Sequence, residues 1–99
     1  MKLKLNWQLE SPDYPDNEIC ITGDKTYLKV SYNKKLWHCE AFYKWTSTWN
    51  NTDDHNVVSS WSSTSREESI NAVVYDLTVQ QRNFPSHFRC HYFNLGEIV

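Results

Sequence analysis

The stretch 36–49, LWHCEAFYKWTSTW, constrains the fold more than any other part of the chain. It is the longest strand-like run without a breaker, and it holds three of the five tryptophans. At the two-residue period of a strand, Trp37, Cys39, Ala41, Tyr43 and Trp45 share one face. Leu36, His38, Glu40, Phe42 and Lys44 share the other. The first face alternates bulky and small residues; the second is mixed and more polar. This pattern suits a half-buried central strand around which a sheet is assembled.

The segments before it supply neighbours. Residues 2–9 alternate Lys2, Lys4, Asn6 and Gln8 against Leu3, Leu5, Trp7 and Leu9, which predicts a strand with one buried face. Residues 11–17, with two prolines and several turn formers, predict a loop. A short β-branched strand is expected at 18–22, a tight turn at 23–25 and a third strand at 26–32. The turn at 33–35 leads into the long strand. Four strands joined by short turns read as an antiparallel meander.

From Thr46 to Ser65 the chain turns polar, and only Trp49, Val57, Val58 and Trp61 are apolar. A loop around 50–56 and a short strand or irregular piece at 57–61 are expected. Ser65-Arg66-Glu67-Glu68 then forms a capping box, with acidic side chains at the positive end of a helix. Ile70, Val73, Val74 and Leu77, continued by Gln81 or Phe84, give a helical apolar stripe. The helix is expected over about 66–82, with Pro85 barring its continuation. A last strand is expected over 87–94, with Phe88, Cys90 and Tyr92 alternating against Arg89, His91 and Phe93. The sum is a single α+β domain over residues 1–99: an antiparallel meander of five to six strands with one helix packed across one face.

Composition narrows the function classes. A net charge of −2 lacks the basic excess of a phosphate-gripping protein. The start, MKLKLNWQLE, has no apolar run of a signal peptide, and no stretch approaches the ~20 residues of a membrane span. An odd count of three cysteines then reads as reduced thiols in a cytoplasmic protein.

Motifs for chemistry are sparse. His87-x-x-Cys90 is the one Cys/His pair with a usable metal-ligand gap; His38-Cys39 and Cys90-His91 are adjacent, so strand alternation sends them to opposite faces. The same alternation argues against a Cys–His nucleophile. Two glycines in the whole chain count against a phosphate-cradling loop. No metal, cofactor or catalytic residue is assigned, and an enzyme ranks third among the function classes.

An alternative is nucleic-acid binding through a sheet face bearing Lys25, Lys29, Lys34, Lys35 and Lys44 among Tyr27, Tyr32, Trp37 and Phe42. The leading expectation is protein binding. Five Trp, six Tyr and four Phe exceed what one small core needs. Trp49 and Trp61 lie in a polar segment beside Asp53 and Asp54, and such aromatics dominate interface energetics. The acidic loop with Asp13, Tyr14, Asp16 and Glu18 is a second contact element, suited to a basic or nucleic-acid-binding protein partner. Phe42 and Phe93, on otherwise polar faces, also leave room for a homodimer.

In size, charge and lack of catalytic motifs the chain is similar in type to small inhibitor proteins. These are phage-encoded anti-CRISPR and other anti-defence factors, and bacterial toxin-immunity proteins. The resemblance covers no motif. It implies a cytoplasmic protein that occludes a partner's functional surface.

Overall fold

In the computed structural model, residues 5–46, 53–88 and 92–95 are described, without the side chains of Trp45, Thr46 and Asp53. The strands are β1 (Gln8–Leu9), β2 (Glu18–Ile21), β3 (Thr26–Asn33), β4 (Leu36–Thr46) and β5 (Asp53–Ser63). They form one antiparallel sheet in the order β1-β2-β3-β4-β5, a simple meander. One helix, α1 (Arg66–Asn83), follows, then a 3₁₀ turn at Pro85–Phe88. The α+β architecture expected from the sequence is the one observed.

Strand β4 is the core strand. Cys39 and Ala41 are fully buried beside Leu28 and Val30 of β3, and Ile70, Val73, Val74 and Leu77 of α1 close over them. The N-cap Ser65 accepts from the Glu68 N–H at 3.3 Å, as the capping box requires. Arg66, at the helix start, pairs with Glu18 at 2.8 Å, and its guanidinium lies 5.3 Å from the centre of the Trp7 ring. This clamp ties the helix to β2 across the covered face.

The β3–β4 hairpin turns on Lys34 and Lys35, both left-handed, with φ of 53° and 66°. Two consecutive residues of positive φ are what a two-residue hairpin of the primed type needs, a position where Asn-Gly is the favoured pair. The β2–β3 turn is held differently. Thr26 donates its hydroxyl proton to the Tyr92 carbonyl at 3.3 Å, so Thr22 must be the donor in the buried 2.8 Å contact between the two threonine hydroxyls. Gly23 is needed here for room: a Cβ would come within 2.8 Å of Thr26 Oγ1 and 2.9 Å of the Tyr92 carbonyl. Gly23→Ala is therefore expected to cost about 1–3 kcal/mol, read as a lower urea midpoint at unchanged m-value.

Three expectations are corrected. The polar segment expected as a loop with a short strand is, from Asp53 on, an eleven-residue strand. The backbone of β4 offers a full row of partners, and pairing with it overrides the turn preference of Ser, Asn and Asp. The strand expected over 87–94 begins instead as a 3₁₀ turn, 89–91 lie outside the described residues, and 92–95 has no regular pairing. The described residues do not keep the expected alternation: Phe88 and Phe93 both turn inward, in edge-to-face contact at 6.5 Å, while Tyr92 is exposed. Phe93, expected on a polar face, is core. Finally, within the described part of 2–9 only Gln8 and Leu9 pair as a strand, although Leu5 and Trp7 pack against the core as their pattern implied.

Candidate protein-docking edge

With α1 over one face, the described residues leave three surfaces of the sheet uncovered: its bare face and its two edges. The edge at β1 is two residues long and runs into a loop with Pro12 and Pro15, so it offers little to another strand. The edge at β5 is different. It is eleven residues long, it has no Lys, Arg or Pro, and among the described residues only β4 pairs with it.

A bulge divides β5. Ala41 pairs with Ser59 and Phe42 with Val57, which leaves Val58 without a partner on β4. The extra residue resets the alternation, so Val57 shares the open face with Phe42 while Ser59 and Trp61 share the covered face with Ala41 and Cys39. Before the bulge the strand carries Asp53 and Asp54. After it, residues 59–63 read Ser-Ser-Trp-Ser-Ser, without a charge.

Trp61 is 52% exposed despite lying on the helix side, because it sits at the rim where α1 stops covering the sheet. Across from it the helix presents Ala72, Tyr75 (73% exposed) and Asp76. Together with Ser59 and Ser60 they line a cleft of about 410 Å³ along the strand edge. Asp76 Oδ2 accepts from the Ser59 hydroxyl and from Gln80 Nε2, each at 2.7 Å. No cation lies within ion-pair distance of Asp76 among the described residues.

The bare face carries a ring cluster and a polar hollow. Tyr27 stacks on Phe42 at 4.9 Å, and its hydroxyl meets His55 Nδ1 at 2.8 Å. Burial, then the charges of Glu10 and Glu40, raise the Tyr27 phenol above its ordinary pKa. Lys29 pairs with Glu10 at 3.2 Å. His38 Nε2 lies 3.2 Å from the Asn33 carbonyl and donates to it, which in the neutral ring leaves Nδ1 to accept from the Ser62 hydroxyl at 2.6 Å. That hydroxyl–imidazole pair ties β4 to β5.

The residues singled out in the sequence do not converge. Asp13, Tyr14 and Asp16 are exposed in the loop between β1 and β2. Glu18 is not free for a partner, since Arg66 holds it. Trp61 and Asp54 lie on β5, at the other side of the sheet, three to four strand spacings or roughly 14–19 Å away. Asp53 begins β5, and Trp49 lies outside the described residues. Of the aromatics placed with the lysines, Tyr27 and Phe42 share the bare face. Tyr32 and Trp37 are paired on the covered side, where Trp37 packs on the core.

Tyr75 and Asp76 escaped notice in the sequence. A tyrosine opposite the stripe of Ile70, Val73, Val74 and Leu77 was a legible signal of an exposed ring. That it would lie beside Trp61 was not.

As for reactive groups, burial pushes the Cys39 thiol up to about 12 and raises Cys20 above its ordinary value, so both are protonated at neutral pH. No three His, Cys, Asp or Glu side chains converge among the described residues, and Cys90 of the His87-x-x-Cys90 pair lies outside them. Comparison with protein-family models, with curated proteins and with solved structures finds no match.

Proposed function

We propose that this protein is a protein-binding domain that acts in the cytoplasm by covering a functional surface of its partner, as small inhibitor and immunity proteins do. The observation that carries this is the long, lysine-free and proline-free edge of β5, with exposed Trp61 facing exposed Tyr75 across a cleft. Serine, tryptophan and tyrosine together make a recognition surface in which the rings anchor and the hydroxyls adapt. Its second half, residues 59–63, carries no charge, proline or bulge to guard it, and such an edge is a liability unless something docks on it. No helix among the described residues is long and apolar enough to cross a membrane.

The alternative, nucleic-acid binding, draws its support from Lys29, Lys44 and the Tyr27–Phe42 stack on the bare face. It has less to work with: Lys29 is paired with Glu10 and lies opposite Glu40. Nuclease-treated host lysate, passed over the tagged chain and read by mass spectrometry, separates the two. Wild type is expected to retain one stoichiometric protein, and Trp61→Ala to lose it by tenfold or more, since a buried aromatic anchor is worth about 2 kcal/mol or more. Lys34→Glu with Lys35→Glu should leave capture intact. Loss of the partner on nuclease treatment or with the lysine variant, but not with Trp61→Ala, would establish the nucleic-acid alternative instead.

A further inference from the structure

We infer that the β5 edge takes an extended, basic segment of the partner protein, added as a sixth strand along residues 59–63 with a cationic side chain facing Asp76. This rests on the docking role proposed above and names the chemistry of what docks.

The strand half matters. Every second residue of an edge strand turns its N–H and C=O outward, and these groups are a template for another chain. Between Asp53 and Val57 the template is guarded by Asp53 and Asp54 and ends in the bulge at Val58. Residues 59–63 have neither charge nor bulge, and they are the part that runs beside α1.

An added strand alternates its side chains between the two faces. Those on the helix side enter the cleft, where Trp61, Ala72 and Tyr75 form an apolar wall suited to an aliphatic stem. The cleft's charge is negative. Asp76 is held in place by two hydrogen bonds and, among the described residues, has no cation, while Arg66 at the helix start is committed to Glu18. Covering a carboxylate without a counter-charge opposes docking, whereas a lysine or arginine over it offsets that desolvation. A side chain with an apolar stem and a cationic head meets both requirements.

A second copy fits less well. Pairing β5 with its own twin across a two-fold axis sets two helix flanks side by side, each presenting Asp76 toward the other.

The test uses the full-length chain and three fluorescein-labelled nine-residue peptides. One alternates valine with arginine; the second replaces arginine by glutamate; the third is the arginine peptide with alternate backbone amides N-methylated. Anisotropy should show binding of the first alone. Amide shifts in ¹⁵N spectra should fall on residues 59–63 and on the Ala72–Asp76 flank. Asp76→Asn, which keeps an oxygen for Ser59 and Gln80, should weaken binding at least tenfold, and Ser60→Lys, which puts a protecting lysine on the edge, should do the same. Equal binding of the glutamate or N-methylated peptide overturns the inference, as do shifts confined to the bare face or a β5-dependent dimer in sedimentation. If no peptide binds and Trp61→Ala still loses the lysate partner, the basic-segment chemistry is wrong and the docking edge stands. If both fail, the edge itself is wrong.

Discussion

Phe93→Ala is expected to cost about 3–5 kcal/mol, a large share of the roughly 5–15 kcal/mol that holds a domain of this size together. The ring is fully buried, although the segment that carries it has no regular secondary structure. Its place is secured from both sides. The Phe93 N–H donates to Gln81 Oε1 at 2.6 Å, and Gln81 Nε2 donates to the Phe93 carbonyl at 3.2 Å. The Asn94 N–H reaches the Thr22 carbonyl at 2.8 Å, and the Tyr92 carbonyl receives Thr26. A backbone so tied cannot collapse into the space the ring leaves, so the cavity term adds to the lost transfer energy. Tyr92→Ala, one residue away but exposed, is expected to change stability by less than about 0.5 kcal/mol. Urea titrations of the two variants give the comparison. A cost below about 1 kcal/mol for Phe93→Ala would mean that the core closes without this segment.

Alkali should unfold the protein through Cys39. In the unfolded chain its thiol ionises near 9.0, whereas in the fold burial, aided by the charge of Glu40, pushes it up to about 12. Below pH 9 both states hold the proton and nothing changes. As pH rises from there the unfolded state binds fewer protons than the folded one, and stability falls by about 1.4 kcal/mol per pH unit. By pH 12 the loss from this one group reaches about 4 kcal/mol. Cys20, also raised by burial, adds a slope of the same sign. Cys39→Ala costs about 1–2 kcal/mol in lost volume at neutral pH but should flatten most of the alkaline slope. Urea midpoints at intervals from pH 8 to 11, under reducing agent, measure it. Identical slopes in both proteins would place the alkaline sensitivity elsewhere.

Much of the fold was legible in the chain because local and global preferences agree there. The capping box at Ser65, the stripe of Ile70, Val73, Val74 and Leu77, and the alternation of Trp37, Cys39 and Ala41 each lead to the element observed. Where they disagree, tertiary pairing won. Asp53 to Ser63 has the composition of a loop, but β4 needs a partner and supplies the hydrogen bonds that make it a strand. The HFRCHYFN stretch alternates like a strand yet starts in a 3₁₀ turn after Pro85, and its described end, 92–94, is held by Gln81, Thr22 and Thr26 rather than by a strand ladder.

The candidate site divides in the same way. Trp61 was legible as an aromatic stranded among serines; Tyr75 carried no expectation, although it sits opposite the apolar stripe of the helix. Glu18 looked like a free acid in a contact loop; only the fold shows Arg66 on it. The bulge at Val58 was invisible, since nothing in Val57-Val58-Ser59 announces an extra residue. Yet it is the bulge that turns Trp61 to the helix side and sets it across from Tyr75.

The sequence by itself determined the elements and the sheet's central strand, because hydrophobic period and capping act over a few residues. Only the tertiary structure decided, among the described residues, which strand is an edge, which acids hold a cation, and which aromatics face solvent. Those depend on partners far apart in the chain, brought within reach by backbone pairing that leaves no mark on local composition.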